Sequence, residues 1–185
     1  ETYHFSVLHK DSLHAVFHGN CRMFDNFKRN GWLILCRRAI DEMRKLPESD
    51  WNICAGTLPV YYLFPNIIFM PTQEGAFLVQ EYPIENSPHK SVSKISFYFY
   101  PHVLEHVKQL EKQGVNGKEL LQEQYNGFAS VIRDEDYVAA ASSHKGLKSG
   151  NIDYLTFGKN EPALHHYHNT YREALGLQSL PLEEA

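Results

Sequence analysis

Between residues 15 and 100, apolar side chains come in short runs separated by turn formers; from residue 117 onward they recur at helical intervals. The runs at 15–24, 32–37, 60–64, 66–70, 76–82 and 92–100 predict strands. The second contains Trp32-Leu33-Ile34-Leu35-Cys36 without a polar break, and Pro65 divides the third from the fourth. The last alternates in part, with Ile95, Phe97 and Phe99 on one side and Ser96, Tyr98 and Tyr100 on the other. Helices are predicted over 1–13, over 39–45 up to Pro47, and over 118–145, the long one weakened by Gly127 and capped by Gly146. A short strand at 152–157 and a closing helix over 162–175, ended by Gly176, complete the pattern. A block of strands with helices before and after it predicts an α+β domain, its antiparallel sheet wrapped against the long helix.

Composition narrows the class. A chain of 185 residues, 43% hydrophobic and 22% charged, suits one domain over 1–185 with a sizeable core. The net charge of −4 supplies no basic field for nucleic acid or a membrane surface. No apolar run approaches the roughly 18 residues of a membrane span, and the N-terminus carries no signal-peptide pattern. Cys21, Cys36 and Cys54 are odd in number and lack CxxC spacing, so a reducing cytoplasm is expected rather than a disulfide framework. The aromatic fraction of 13% suits a large apolar cavity and a sheet core equally. The opening on Glu1 reads as the interior of a longer polypeptide.

The candidate chemistry lies at the two ends of the chain. His4 and His9 stand five apart, about 140° around an ideal helix. They can meet one metal only if the helix widens or ends between them, as a π-bulge would allow. Far downstream, Asp134, Glu135 and Asp136 offer a carboxylate. Two imidazoles and one carboxylate fill one face of an iron and leave the other face open for oxygen chemistry. Taken alone, the histidine pair also fits two structural histidines, and the acids a solvated turn. On a regular helix Asp136 shares a face with Ile132, Ala139, Ala140 and Ser143, small and apolar enough to bury a carboxylate that a metal compensates.

At these residues the chain resembles the α subunit of Rieske non-haem iron oxygenases, the ring-hydroxylating family. Its Glu/Asp-x-Tyr-His-x4-His motif stands here as Glu1-Thr2-Tyr3-His4 through His9. Its later Glu-Asp pair, followed ten residues after the Asp by Gly-Leu-x-Ser, stands as Glu135-Asp136 and Gly146-Leu147-Lys148-Ser149. The turn Leu63-Phe64-Pro65-Asn66 and the ending Asn160-Glu161, Tyr167-His168, Tyr171 and Ala174-Leu175 are also similar to the family's. The resemblance therefore spans essentially the whole chain.

It implies a helix-grip, START-like fold, with His4, His9 and Asp136 as ligands of a mononuclear Fe(II). Glu1 becomes the bridge that passes an electron from a neighbouring subunit's Rieske cluster, with Tyr3 packed beside it. The electrons come from NAD(P)H through a ferredoxin or flavin reductase. The substrate is an aromatic or similar apolar molecule, hydroxylated or demethylated with O₂, and Phe5, Leu13 and Ile132 are candidates for its pocket. The usual assembly is a trimer of α subunits, with or without β subunits.

One departure matters. A Rieske [2Fe–2S] cluster takes two Cys and two His, and none of the three cysteines has a Cys-x-His or Cys-x-x-His partner. The Rieske domain is accordingly expected upstream of Glu1.

Other signals are weaker. His14 and His18 remain second candidates for the metal. His165, His166 and His168 form a dense cluster whose neighbours face different ways on a helix. Two other classes stay open: a metal-free ligand-binding module of the same fold, and a zinc hydrolase, since two His and one acid also suit catalytic zinc.

Overall fold

In the computed structural model, which describes residues 2–181, six strands hydrogen-bond in chain order: β1 Phe17–Phe27, β2 Asn30–Arg37, β3 Thr57–Leu63, β4 Ile67–Pro71, β5 Gly75–Ile84 and β6 Ser87–Phe99. Every neighbouring pair is antiparallel. Short connections make this order natural. Glu85 and Asn86 both take positive φ (49° and 55°), the conformation of a two-residue hairpin loop whose twist matches that of the strands it joins. The longer β2–β3 link holds two single-turn helices, α1 Ile40–Met43 and α2 Ile53–Gly56. Asn52 caps α2 by accepting from the amides of Cys54 and Ala55.

After β6 the chain turns helical. Helix α3 spans Pro101–Glu111, with Pro101 in its first turn, where a missing N–H costs nothing. Helix α4 spans Gly117–Val131, its N-terminus capped by the Asn116 side chain accepting from the Glu119 amide. A π-helical turn, Ile132–Asp136, joins it to α5, Tyr137–Lys148. Helix α6, Pro162–Ala174, lies on β1 and β2.

The core forms where the sheet meets these helices. Met70, Phe77 and Val79 are buried beneath Tyr125, Phe128 and Ile132. The Phe77 ring sits 4.2 Å from Phe97 and 4.0 Å from Phe128. A second cluster of Phe5, Phe17 and Leu35 fastens the N-terminal segment to the first two strands. Each such side chain, fully buried, contributes about 1.5–3 kcal/mol.

The α+β class and the antiparallel sheet agree with the hydrophobic pattern. Four details differ. Residues 1–13 are not a helix: Tyr3–Ser6 and Leu13–Ala15 are short 3₁₀ turns with further turns between them. The long helix is broken by the π turn and runs on to Lys148, so Gly146 lies inside it and Gly150, at φ 74°, takes the left-handed position. Residues 152–157 form no strand; Tyr154 and Leu155 are 80% and 58% exposed, because this apolar run finds no strand to pair with. Finally, the pattern assigned nothing to the segment that forms α3, whose sparse apolar face buries little beyond Val107.

Candidate metal centre

The N-terminal turns decide where the histidines point. Leu8 donates its amide to the His4 carbonyl at 2.7 Å, and His14 donates to the His9 carbonyl at 2.9 Å, five residues back. The winding therefore changes between and after the two residues, as their spacing requires. Their rings end up 4.8 Å apart between centroids. Phe5 sets its edge against both, at 5.1 and 5.3 Å, and belongs to the core beneath. Buried Thr2 ties the segment to β1 through its hydroxyl, which donates to the Gly19 carbonyl at 2.7 Å.

The π turn decides where the acids point. In this wider winding, consecutive residues are separated by less than the 100° of an α-helix. Glu135 and Asp136 can therefore both reach His9. Asp136 Oδ1 lies 3.2 Å from His9 Nε2 and 3.5 Å from His4 Nε2. Glu135 Oε2 accepts from His9 Nδ1 at 2.7 Å and from the Ser12 hydroxyl at 2.8 Å. Asp134 takes no part: it faces solvent, where the Arg133 guanidinium pairs with it and holds its carboxyl below the usual range. The three acids thus separate into ion-pair partner, hydrogen-bond acceptor and candidate ligand.

The donor set fits a metal. Ligand atoms of His4, His9 and Asp136 all lie within 4.8 Å of one another. Two ligands at adjacent positions, bonded at about 2.1 Å, stand roughly 3 Å apart, close to the distances from Asp136 to the two imidazoles. With His9 Nδ1 turned to Glu135, its Nε2 faces a carboxylate oxygen of Asp136. A metal held between these atoms, or a proton on Nε2, satisfies both at 3.2 Å, and the His4 imidazole converging on the same oxygen completes a metal-ligand set.

Several expectations need correction. Ala140 and Ser143 are exposed, so the face predicted to bury Asp136 does not do so; the π turn shifts the register, and the histidines cover the carboxylate instead. Phe5 and Leu13 pack in the β1–β2 cluster and Ile132 in the β4–β5 cluster. His18 pairs with Asp41 at 3.0 Å, away from the metal group, and the His14 Nδ1 is buried without a partner. His165 meets the Gly158 carbonyl, His166 leans on Phe24 and His168 stacks on Phe157, so the cluster converges on nothing. Glu1 lies outside the described residues. Missed at the sequence level were the supporting role of Glu135 and its partner Ser12; the adjacency of Glu135 to Asp136 and of Ser12 to the histidine segment was their one signal.

A His-His-Asp centre, built around one buried histidine beside an antiparallel sheet gripping a helix, defines a class: domains built to hold one mononuclear, non-haem metal. The chain belongs to the ring-hydroxylating α subunit family, whose catalytic-domain model matches residues 1–177. It is an oxygenase domain of that family, which implies non-haem iron, an organic substrate, O₂ and electron-transfer partners. No curated protein and no solved structure matches the chain. Among the described residues, no helix is long and apolar enough to cross a membrane.

Proposed function

We propose that this chain is the catalytic domain of a terminal oxygenase that hydroxylates an aromatic or similar apolar molecule, with His4, His9 and Asp136 holding Fe(II). The observation that supports this is the convergence of those three side chains in a chain of this family. When bound, the iron supplies the activation of O₂. The protein's residues do the rest. Glu135 and Ser12 fix the tautomer and tilt of His9. Phe5, its ring edge against both imidazoles and its other side in the core, supplies the apolar support beneath the centre.

In this reading electrons come from NAD(P)H through a ferredoxin or flavin reductase and a Rieske [2Fe–2S] cluster in a domain upstream of Glu1. Glu1 is the bridge from a neighbouring subunit of a homotrimer, or of an assembly with β subunits. The setting is cytoplasmic, in keeping with three free cysteines. The same centre serves monooxygenation and O- or N-demethylation, and that is the second reading. Anaerobic Fe(II) loading followed by metal analysis tests the assignment. The native full-length protein should hold close to one catalytic iron, while Asp136→Ala and His4→Ala should lose it and stop substrate-dependent O₂ uptake. Retained iron with turnover in either variant contradicts the ligand assignment, and zinc with hydrolysis contradicts the oxygenase.

A further inference from the structure

The two imidazoles of the metal group are held in different ways. The His9 side chain is 1% exposed, and its Nδ1 meets Glu135. The His4 side chain is 39% exposed, and among the described residues no carboxylate or hydroxyl plays for its Nδ1 the part that Glu135 plays for His9. Phe5 supports the His4 ring by its edge but gives its nitrogens nothing to bond. A ligand histidine is aimed by a hydrogen bond at its second nitrogen; without one, its aim depends on how firmly its backbone is held.

That backbone is held on both sides of His4. Phe5, after it, lies in the core with Phe17 and Leu35. Tyr3, before it, is 45% exposed and is held from outside the core. The Arg22 guanidinium of β1 lies over the Tyr3 ring, with Cζ 4.6 Å from the centroid. Asn160 Nδ2 donates to the Tyr3 hydroxyl. Arg22 Nη2 donates to the Asn160 carbonyl at 2.7 Å. The three residues close a ring of contacts in which each touches the other two.

Both jaws of this clamp belong to the framework. Arg22 sits within the β1–β2 ladder, opposite Leu35. Asn160 lies in the turn 158–161, where the Gly158 amide donates to Glu161 Oε2 at 2.6 Å and the Glu161 amide donates to the Gly158 carbonyl at 2.9 Å. His165 of α6 meets the same carbonyl at 3.1 Å, and α6 rests on β1 and β2. A planar guanidinium stacks on a ring by its face while donating from its edge, two tasks that a lysine ammonium cannot combine. Nearly half of Tyr3 is in solvent, so little apolar burial rests on the clamp. What it fixes is the course of the chain immediately before His4.

We propose that Arg22 and Asn160 are positioning residues for the metal: by clamping the Tyr3 side chain they keep the adjacent His4 imidazole aimed at the metal, in place of the hydrogen-bonded partner that His9 has. The inference rests on the reading of His4, His9 and Asp136 as the iron ligands.

The test uses the full-length protein loaded anaerobically with Fe(II). Titration gives the iron affinity, and EPR of the iron after addition of nitric oxide reports the arrangement of its ligands. Arg22→Leu removes the stack and the edge donor, and should weaken Fe(II) binding roughly tenfold, the low end of what loss of a ligand's supporting partner does. Tyr3→Phe and Asn160→Ala each remove the hydroxyl–amide link. They should weaken binding by a smaller, equal factor, with no further loss in the double variant, because both delete one contact. All three should change the line splitting of the EPR signal, while the Tm of the metal-free protein moves by only a few degrees. Native affinity and an unchanged spectrum in Arg22→Leu overturn the proposal, as does an affinity that falls only in step with the metal-free Tm. If Arg22→Leu does not fold, Tyr3→Phe decides by the same criteria, since it deletes a single hydroxyl. Asp136→Ala in the same series separates the two claims. A native protein that takes up no iron, or iron retained in Asp136→Ala, sinks the ligand assignment and this inference with it. Iron lost from Asp136→Ala but held normally by the clamp variants sinks the clamp alone.

Discussion

His9 is held at both ring nitrogens. Glu135 receives Nδ1–H, and Nε2 faces Asp136, on a side chain only 1% exposed. A carboxylate accepting from a ligand histidine fixes the tautomer and raises the basicity of the nitrogen left for the metal. Glu135→Ala should therefore weaken Fe(II) binding by about 10–100-fold, the usual cost of removing such a partner. Glu135→Gln, which keeps an acceptor, should recover part of the loss. Anaerobic Fe(II) titration of both variants checks this; equal affinity in Glu135→Ala and the native protein would leave Glu135 a bystander. Asp134, one residue earlier and paired with Arg133 in solvent, is the internal control whose removal should leave iron affinity unchanged.

At the level of elements, the π turn depends on how firmly its flanks are held. Helix α4 is anchored by Phe128 on Phe77 and by Tyr125, and the π turn by Ile132, on the same strands. Phe128→Ala removes that anchor and should cost about 2–3 kcal/mol, at or just below the usual range because the ring is only half-buried. Chemical denaturation measures the loss, and iron affinity should fall with it if α4 sets the position of the π turn. Gly75 supplies a second check at the start of β5. A Cβ there would lie 2.0 Å from the Tyr98 carbonyl oxygen across the ladder, an approach that only backbone movement could relieve. Gly75→Ala should destabilise by at least about 2 kcal/mol through strand separation rather than loss of packing.

For the molecule as a whole, the metal group joins two ends of the chain. His4 and His9 belong to the N-terminal turns fastened to β1, and Asp136 to the π turn between α4 and α5, which packs on the same face of the sheet. A ligand that binds only the folded protein stabilises it by mass action, about 2.7 kcal/mol at a hundredfold excess over Kd. For a domain of this size that is a rise of roughly 5–10 °C in Tm, at 2–4 °C per kcal/mol. Anaerobic Fe(II) should produce such a rise in thermal unfolding of the native protein and none in Asp136→Ala. An equal rise in both would place the stabilising metal elsewhere.

Local sequence was enough for the strands of the sheet, because alternation and apolar runs are set by which residues must leave water. It was enough for α6 as well; His4, His9 and Asp136 were named through the motif resemblance, and the fold brings the three together. The division of labour among Asp134, Glu135 and Asp136 was not legible, since three adjacent acids look alike until the π turn aims each in its own direction. Nor was the turn itself, whose one extra residue per winding comes from the pull of the sheet on one flank and of the histidines on the other. Glu81 was hidden for the same reason. Its strand pattern says only that it shares a face with Phe77 and Val79. That the Tyr137 hydroxyl of the helices meets its carboxylate was decided by a contact between elements far apart in the chain.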